Sequence, residues 1–191
     1  MPLNVPILLT WLRILLIPAF LAVFYFPNSW LTEPEKNLAA TVLFAVAAAT
    51  DWLDGYLART LDQTSAFGAF LDPVADKLMV AAALILLVWL RRVDAPIAVI
   101  IIGREIAISA LREWMAKLGR SKSVAVNFLG KVKTGSQMAA ILLLLYHGML
   151  FGLIDTEYIG TVLIYVAAVL TLWSMIYYLR MAMPYVLDKQ E

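Results

Sequence analysis

Cysteine is absent from the 191 residues, histidine occurs once, at His147, and charged residues make up only 15%. The first absence excludes disulfides, thiol catalysis and cysteine metal sites. The second excludes a histidine-rich zinc site. Charge is scarce beside the roughly one quarter usual in a soluble domain, while 63% of the residues are hydrophobic and the mean hydropathy is +0.84. Such a composition excludes disorder, coiled coil and an ordinary water-soluble enzyme. Fifteen Lys+Arg against fourteen Asp+Glu leave a net charge of +1, so there is no electrostatic footing for nucleic acid. The opening MPLNVPILLTWLR lacks the charged leader and small-residue cleavage site of a secretory signal and is expected to stay with the mature protein.

What is present is apolar sequence in long stretches. About 20 apolar residues cross a bilayer, so this length accommodates about six spans joined by short loops. The expected architecture is all-α: a polytopic membrane protein of six transmembrane helices, forming one domain over residues 1–191. Helices are expected at about 10–26, 36–60, 67–90, 95–117, 126–148 and 157–182. Pro2–Leu9 is a candidate for a short N-terminal interfacial helix. Ile14–Thr32, Thr134–Ile154 and Tyr158–Leu179 are uncharged, whereas Asn37–Thr50, Leu78–Leu90 and Ala95–Gly103 each run into charged residues. Charge inside an apolar helix is costly enough that it faces a polar cavity or a partner, which is a first hint of function.

Lys/Arg asymmetry sets the expected orientation. With both termini cytoplasmic, only Lys36, Arg91 and Arg92 of the fifteen basic residues fall outside, and the Arg91–Arg92 pair is a mild dissent.

The intruding carboxylates gather around one connection, Asp51-Trp-Leu-Asp54-Gly55-Tyr-Leu-Ala58-Arg59 followed by Gly68-Ala-Phe-Leu-Asp72-Pro-Val-Ala-Asp76. On a helix, Asp51, Asp54, Gly55 and Ala58 fall within about 100° of one another, and Gly68, Asp72 and Asp76 within about 80°. A short turn brings the two stripes face to face near the cytoplasmic surface. Clustered carboxylates without Cys or His are ligands for hard divalent cations, Mg²⁺, Mn²⁺ or Ca²⁺. Two such ions about 4 Å apart form the clamp used for in-line displacement at phosphorus. Small residues beside them leave room for a phosphate ligand, and Arg59 offers a fork for a phosphate oxygen. The bland alternative, that the aspartates pair with Lys77, Arg59 or Arg104 to lock the bundle, suits one aspartate better than four.

The pattern D-x2-D-G-x2-A-R-x8-G-x3-D-x3-D, met at every position from Asp51 to Asp76, resembles the signature of the CDP-alcohol phosphatidyltransferase family. That resemblance implies a six-helix homodimer with a dinuclear metal site open to the cytoplasmic face. It implies that Asp51, Asp54, Asp72 and Asp76 serve two divalent cations, Mg²⁺ or Mn²⁺, and that Asp76 is also the catalytic base. It implies that Gly55, Arg59 and Ser65 hold the CDP moiety. Ala58 and Gly68 join that binding set, as do Asn4, Pro6, Thr10 and Arg13 of the N-terminal segment. The stretches Asn4–Arg13, Gly68–Lys77, Arg104–Trp114 and Gly130–Thr134 look most like the branch of the family that transfers a phosphatidyl group from CDP-diacylglycerol to sn-glycerol 3-phosphate. The location implied is the bacterial inner (cytoplasmic) membrane, with membrane lipids as neighbours.

A glycerol 3-phosphate dianion needs cations apart from the metals. Arg104 and Arg112 lie two helical turns apart, and Lys131 and Lys133 begin the fifth helix, so these four are the candidate phosphate ligands. The plainer reading makes some of the basic residues, with Lys117, Arg120 and Lys122, anchors for anionic lipid, pairs Arg104 with Glu105, and lets Arg13 snorkel. His147 reads as an interfacial or packed histidine, and Trp11, Trp30, Trp89, Trp114 and Tyr185 as an aromatic belt. Gly130 and Gly135 read as close-packing positions. Two other functions remain open: the same chemistry with serine, inositol phosphate or phosphatidylglycerol as acceptor, or a divalent-cation transporter. A transporter would carry polar groups through the full depth, whereas here they crowd one half.

Overall fold

The structure is a computed structural model that describes residues 5–60, 66–117 and 128–187, excluding the side chains of 5–6, 52, 54–60, 66, 69, 128–131 and 185–187. Among the described residues six α-helices carry the fold: α1 (Val5–Ala22), α2 (Glu33–Thr60), α3 (Ala66–Trp89), α4 (Ala95–Lys117), α5 (Phe128–Tyr146) and α6 (Thr156–Leu187). A 3₁₀ turn, Val23–Tyr25, extends α1, and a two-stranded hairpin, β1 (Met149–Leu150) with β2 (Ile154–Asp155), joins α5 to α6. Helix starts are written in the sequence. Glu35 accepts hydrogen bonds from the backbone N–H and the hydroxyl of Thr32, the capping box of a T-x-x-E start. Asp155 Oδ1 accepts from the N–H groups of Glu157 and Tyr158 and so caps α6.

One expectation needs correction. Helix α1 runs unbroken from Val5, so within the described residues Pro2–Leu9 is not a separate interfacial helix. The helix expected to end at about residue 148 does stop at Tyr146: His147, Phe151 and Gly152 take positive φ, which breaks it and folds the rest of the uncharged run Thr134–Ile154 into the hairpin. Hydropathy cannot register a backbone reversal made of apolar residues.

The core is made by one face of every helix. Phe20, Phe44, Leu84, Leu87, Ile101, Ile141, Leu144 and Ile164 are buried together. Small residues set the closest approach of α5 and α6: a Cβ added at Gly160 would lie 2.8 Å from Leu144 Cγ. Gly135 has open space around it instead, so it is not the packing glycine. The outward surface carries Leu15, Phe70, Ile85, Val99, Val169 and Trp173, large apolar side chains that suit hydrocarbon rather than water. Two helices, over Ile7–Tyr25 and Thr156–Pro184, are long and apolar enough to cross a membrane. This is consistent with a membrane protein.

Candidate active site

On α1, Thr10 and Arg13 are one turn apart and both buried, so they share the face turned to α2 and α3. The Thr10 hydroxyl donates to Asp72 Oδ1 at 2.5 Å. Arg13, 1% exposed, bridges through Nη1 to Asp51 Oδ1 at 2.9 Å. Arg13 therefore does not snorkel to the interface; it sits inside the bundle against a carboxylate of the motif. A buried guanidinium needs such a partner, because a charge left unpaired inside the bundle is costly. Asp51 itself is 43% exposed and keeps a face open.

That open face belongs to a cavity of about 260 Å³ lined by Asp51, Asp76, Lys77, Glu105, Thr134 and Gln137 together with Val80 and Met138. Four helices meet there, α2, α3, α4 and α5. Arg13 and Asp76 also face a common smaller void beside Phe44 and Ala47. The two ends of the aspartate signature are thus brought to one space, as the facing stripes predict. Asp72 is turned to Thr10, and Gly68 is buried. The carboxylate of Asp54 and the positions Gly55, Ala58, Arg59, Ser65, Asn4, Pro6 and Lys131 lie outside the described side chains. Among the described residues no three acidic or imidazole groups gather at one point. The donor chemistry nonetheless fits hard divalent cations, because Asp51 and Asp76 present oxygen ligands to the same cavity and, among the described residues, neither histidine nor cysteine lines it.

Behind Glu105, which lines the cavity, lies a group of buried cations. Lys133, 2% exposed, pairs with Glu105 Oε1, and Arg104 Nη1 reaches the same oxygen at 3.3 Å. Arg104 Nη2 donates to Ser174 Oγ at 3.1 Å. Arg104 and Arg112 both lie over the ring of Tyr178, 5.8 and 5.3 Å from its centroid, and Arg112 Nη2 donates to the Tyr178 hydroxyl at 3.4 Å. Three of the four predicted phosphate ligands, Arg104, Arg112 and Lys133, are therefore neighbours around Glu105 and Tyr178. The pairing of Arg104 with Glu105 is the plainer alternative, and it holds alongside the clustering.

Sequence reasoning did not place Tyr178, Thr134 or Gln137 at the site, and took Glu105 only as a partner for Arg104. Glu105 carried a usable signal, an acidic residue inside an apolar helix. Tyr178 carried none, because its role depends on how α6 turns against α4. His147 lies just past α5, with Nε2 3.7 Å from Glu157 Oε2. Burial and the Arg92 guanidinium hold its imidazole below the ordinary histidine value, which fits a packed residue far along the helix from the aspartates.

Comparison with known proteins agrees with this reading of the motif. The sequence profile of CDP-alcohol phosphatidyltransferase matches residues 3–173. A relative from Escherichia coli (strain K12) and one from Shigella flexneri serotype 5b (strain 8401) are each 50% identical over 195 aligned residues, covering 99% of this chain and 100% of theirs. Both bear the name CDP-diacylglycerol--glycerol-3-phosphate 3-phosphatidyltransferase. The profile covers the helix bearing Thr10 and Arg13, the aspartate stripes and the helices of the cationic wall alike, and on that extent the chain belongs to the CDP-alcohol phosphatidyltransferase family.

Proposed function

We propose that this protein transfers the phosphatidyl group of CDP-diacylglycerol to sn-glycerol 3-phosphate, giving phosphatidylglycerol phosphate and CMP. The observation that carries the reading is the continuity of one cavity, with motif carboxylates on α2 and α3 and a wall whose Glu105 is tied to Arg104 and Lys133. An alcohol phosphate needs both: a base at its hydroxyl end and cations at its phosphate end. The full-length relatives carry the corresponding activity in their name.

Asp76 takes the proton of the acceptor's 1-hydroxyl. The freed oxygen forms a bond to the phosphorus that carries diacylglycerol, and the bond from that phosphorus to the CMP oxygen breaks, so CMP leaves with its electron pair. Asp51, Asp54, Asp72 and Asp76 would hold two divalent cations, Mg²⁺ or Mn²⁺, which when bound neutralise the diphosphate and the charge developing on CMP. Arg13 fixes the Asp51 carboxylate, and the Thr10 hydroxyl fixes Asp72. To Gly55, Ala58, Arg59, Ser65 and Gly68, with Asn4 and Pro6, we assign the binding of the nucleotide, as the family motif implies. Arg104, Arg112, Lys131 and Lys133 receive the acceptor phosphate. Positioning and charge stabilisation supply most of the acceleration.

One substrate carries two acyl chains and the other is soluble, so the site belongs at a membrane–water boundary. We place the chain as a single domain of six transmembrane helices in the bacterial inner membrane, working as a homodimer, with both termini and the site facing the cytoplasm. The dissent of Arg91–Arg92 weakens on inspection, because Arg92 donates to the carbonyls of Leu144 and Leu145 and to Asn37 and is held by structure rather than by topology. Permeation is disfavoured by the core. Farther along the helices from the cavity, Phe44, Leu84, Leu87, Ile141 and Leu144 are fully buried in one apolar cluster.

The deciding experiment incubates the purified protein with CDP-diacylglycerol and a panel of acceptors and identifies the lipid formed. Glycerol 3-phosphate is expected to give phosphatidylglycerol phosphate, with little product from serine or glycerol. A clear preference for serine would overturn the acceptor assignment while leaving phosphatidyl transfer in place.

A further inference from the structure

Gln137 is one of the polar side chains of the cavity wall that the chemistry above leaves unused, with Lys77 and Thr134. It is 3% exposed, it lines the same cavity as Asp51 and Asp76, and its Oε1 is buried without a hydrogen-bond partner among the described residues. Buried polar atoms are nearly always paired, so an orphaned one in a binding cavity asks what completes it. A carboxamide oxygen is only an acceptor, and the missing group is therefore an O–H or N–H donor, supplied by water in the cavity or by a bound ligand that displaces it.

Placement narrows the donor. Gln137 and Lys133 lie four residues apart on one face of α5, about 6 Å along the axis. Lys133 and Arg104 converge on Glu105, which is also part of the cavity wall, while Asp76 enters that wall from α3. An acceptor whose phosphate sits at the cations and whose attacking hydroxyl sits at Asp76 spans the space between them. In a three-carbon chain the middle carbon then lies in that space, alongside Gln137. Resting on the acceptor reading above, we propose that Gln137 is a specificity residue: its Oε1 accepts a hydrogen bond from the 2-hydroxyl of the bound glycerol phosphate.

The test compares sn-glycerol 3-phosphate with 3-hydroxypropyl phosphate, which keeps the attacking hydroxyl and the phosphate but lacks the 2-hydroxyl. Steady-state kcat/KM is measured for the parental enzyme, Gln137→Ala and Gln137→Met, the last nearly preserving volume. The parental enzyme is expected to favour glycerol 3-phosphate by about tenfold or more, since a site built for a hydroxyl rejects the analogue lacking it. In both variants the preference should shrink to about twofold or less, through loss on glycerol 3-phosphate alone, the residual being small once the bond is gone. A merely structural glutamine would lower both substrates together and leave the ratio intact. Equal use of the two acceptors by the parental enzyme, or an unchanged ratio in Gln137→Met, overturns the inference even if Gln137→Ala fails to fold. If neither phosphate is used while another alcohol is, the acceptor reading itself has failed, and the inference with it.

Discussion

Arg92 and Arg13 both bring guanidinium into the apolar bundle, at opposite ends of it. Arg92, in the turn between α3 and α4, donates to the carbonyls of Leu144 and Leu145 at 3.0 Å and to Asn37 Oδ1 at 2.8 Å. Those carbonyls end α5 and have no intrahelical donor. Nearby Lys36, more deeply buried, donates to Asn28 Oδ1 at 2.6 Å. Arg13 instead meets Asp51, whose carboxylate opens on a cavity that Asp76 and Gln137 share. Charge bonded to backbone carbonyls closes a helix end and is not free to exchange partners. Charge bonded to a carboxylate that also faces a cavity holds a ligand site ready. The difference teaches how to sort buried polar residues in this chain: by what lies on the far side of the partner.

Substitutions at the two ends should therefore fail in different ways. The largest effect belongs to Asp76→Asn, expected to lower turnover by about 10²–10⁴-fold as a lost general base. CDP-diacylglycerol binding should survive better than turnover; equal loss of both would reduce Asp76 to a metal ligand. Next comes Arg112→Ala. A charge-assisted bond to a phosphate dianion is worth roughly 1.5–3 kcal/mol, so the KM for glycerol 3-phosphate should rise by about ten- to a hundredfold. The KM for CDP-diacylglycerol should change much less, and a parental acceptor KM in this variant would remove Arg112 from the phosphate site. At the opposite end, Arg92→Ala should destabilise the folded protein by about 1.5–3 kcal/mol and leave the acceptor KM where it was. Thermal unfolding in detergent alongside steady-state kinetics checks this, and a changed KM with unchanged unfolding would break the contrast between the ends. Smallest of all, Lys117→Ala removes a solvent-exposed pair with Glu113 that water and salt screen, and should alter neither stability nor KM measurably.

The helices and the aspartate motif were legible because each depends on local pattern. Apolar runs and caps such as Thr32–Glu35 fix where elements begin, and α4 falls at Ala95–Lys117 as the pattern predicts. The spacing of Asp51 and Asp76 was enough to anticipate that they meet. Hidden from sequence were pairings that depend on how one helix is rotated against another, such as Arg13 with Asp51, Thr10 with Asp72, and Tyr178 beneath two arginines. Gln137 was hidden for a related reason. An amide on an apolar helix reads as ordinary until its neighbours show that its oxygen lacks a donor. The end of α5 near residue 148 was legible, but the hairpin after it was not, because two-residue strands are too short to leave a periodic pattern.

The central claim is that the carboxylates around the cavity of Asp51 and Asp76 act through divalent cations to pass a phosphatidyl group to glycerol 3-phosphate. Its most direct test is CMP release from CDP-diacylglycerol with glycerol 3-phosphate present, first in excess chelator and then with Mg²⁺ or Mn²⁺ restored, run beside Asp51→Asn and Asp76→Asn. The account predicts no turnover in chelator, recovery on adding either metal, and no comparable recovery in the two variants. Sustained CMP release in metal-free buffer, or near-parental rates from both variants, would contradict it.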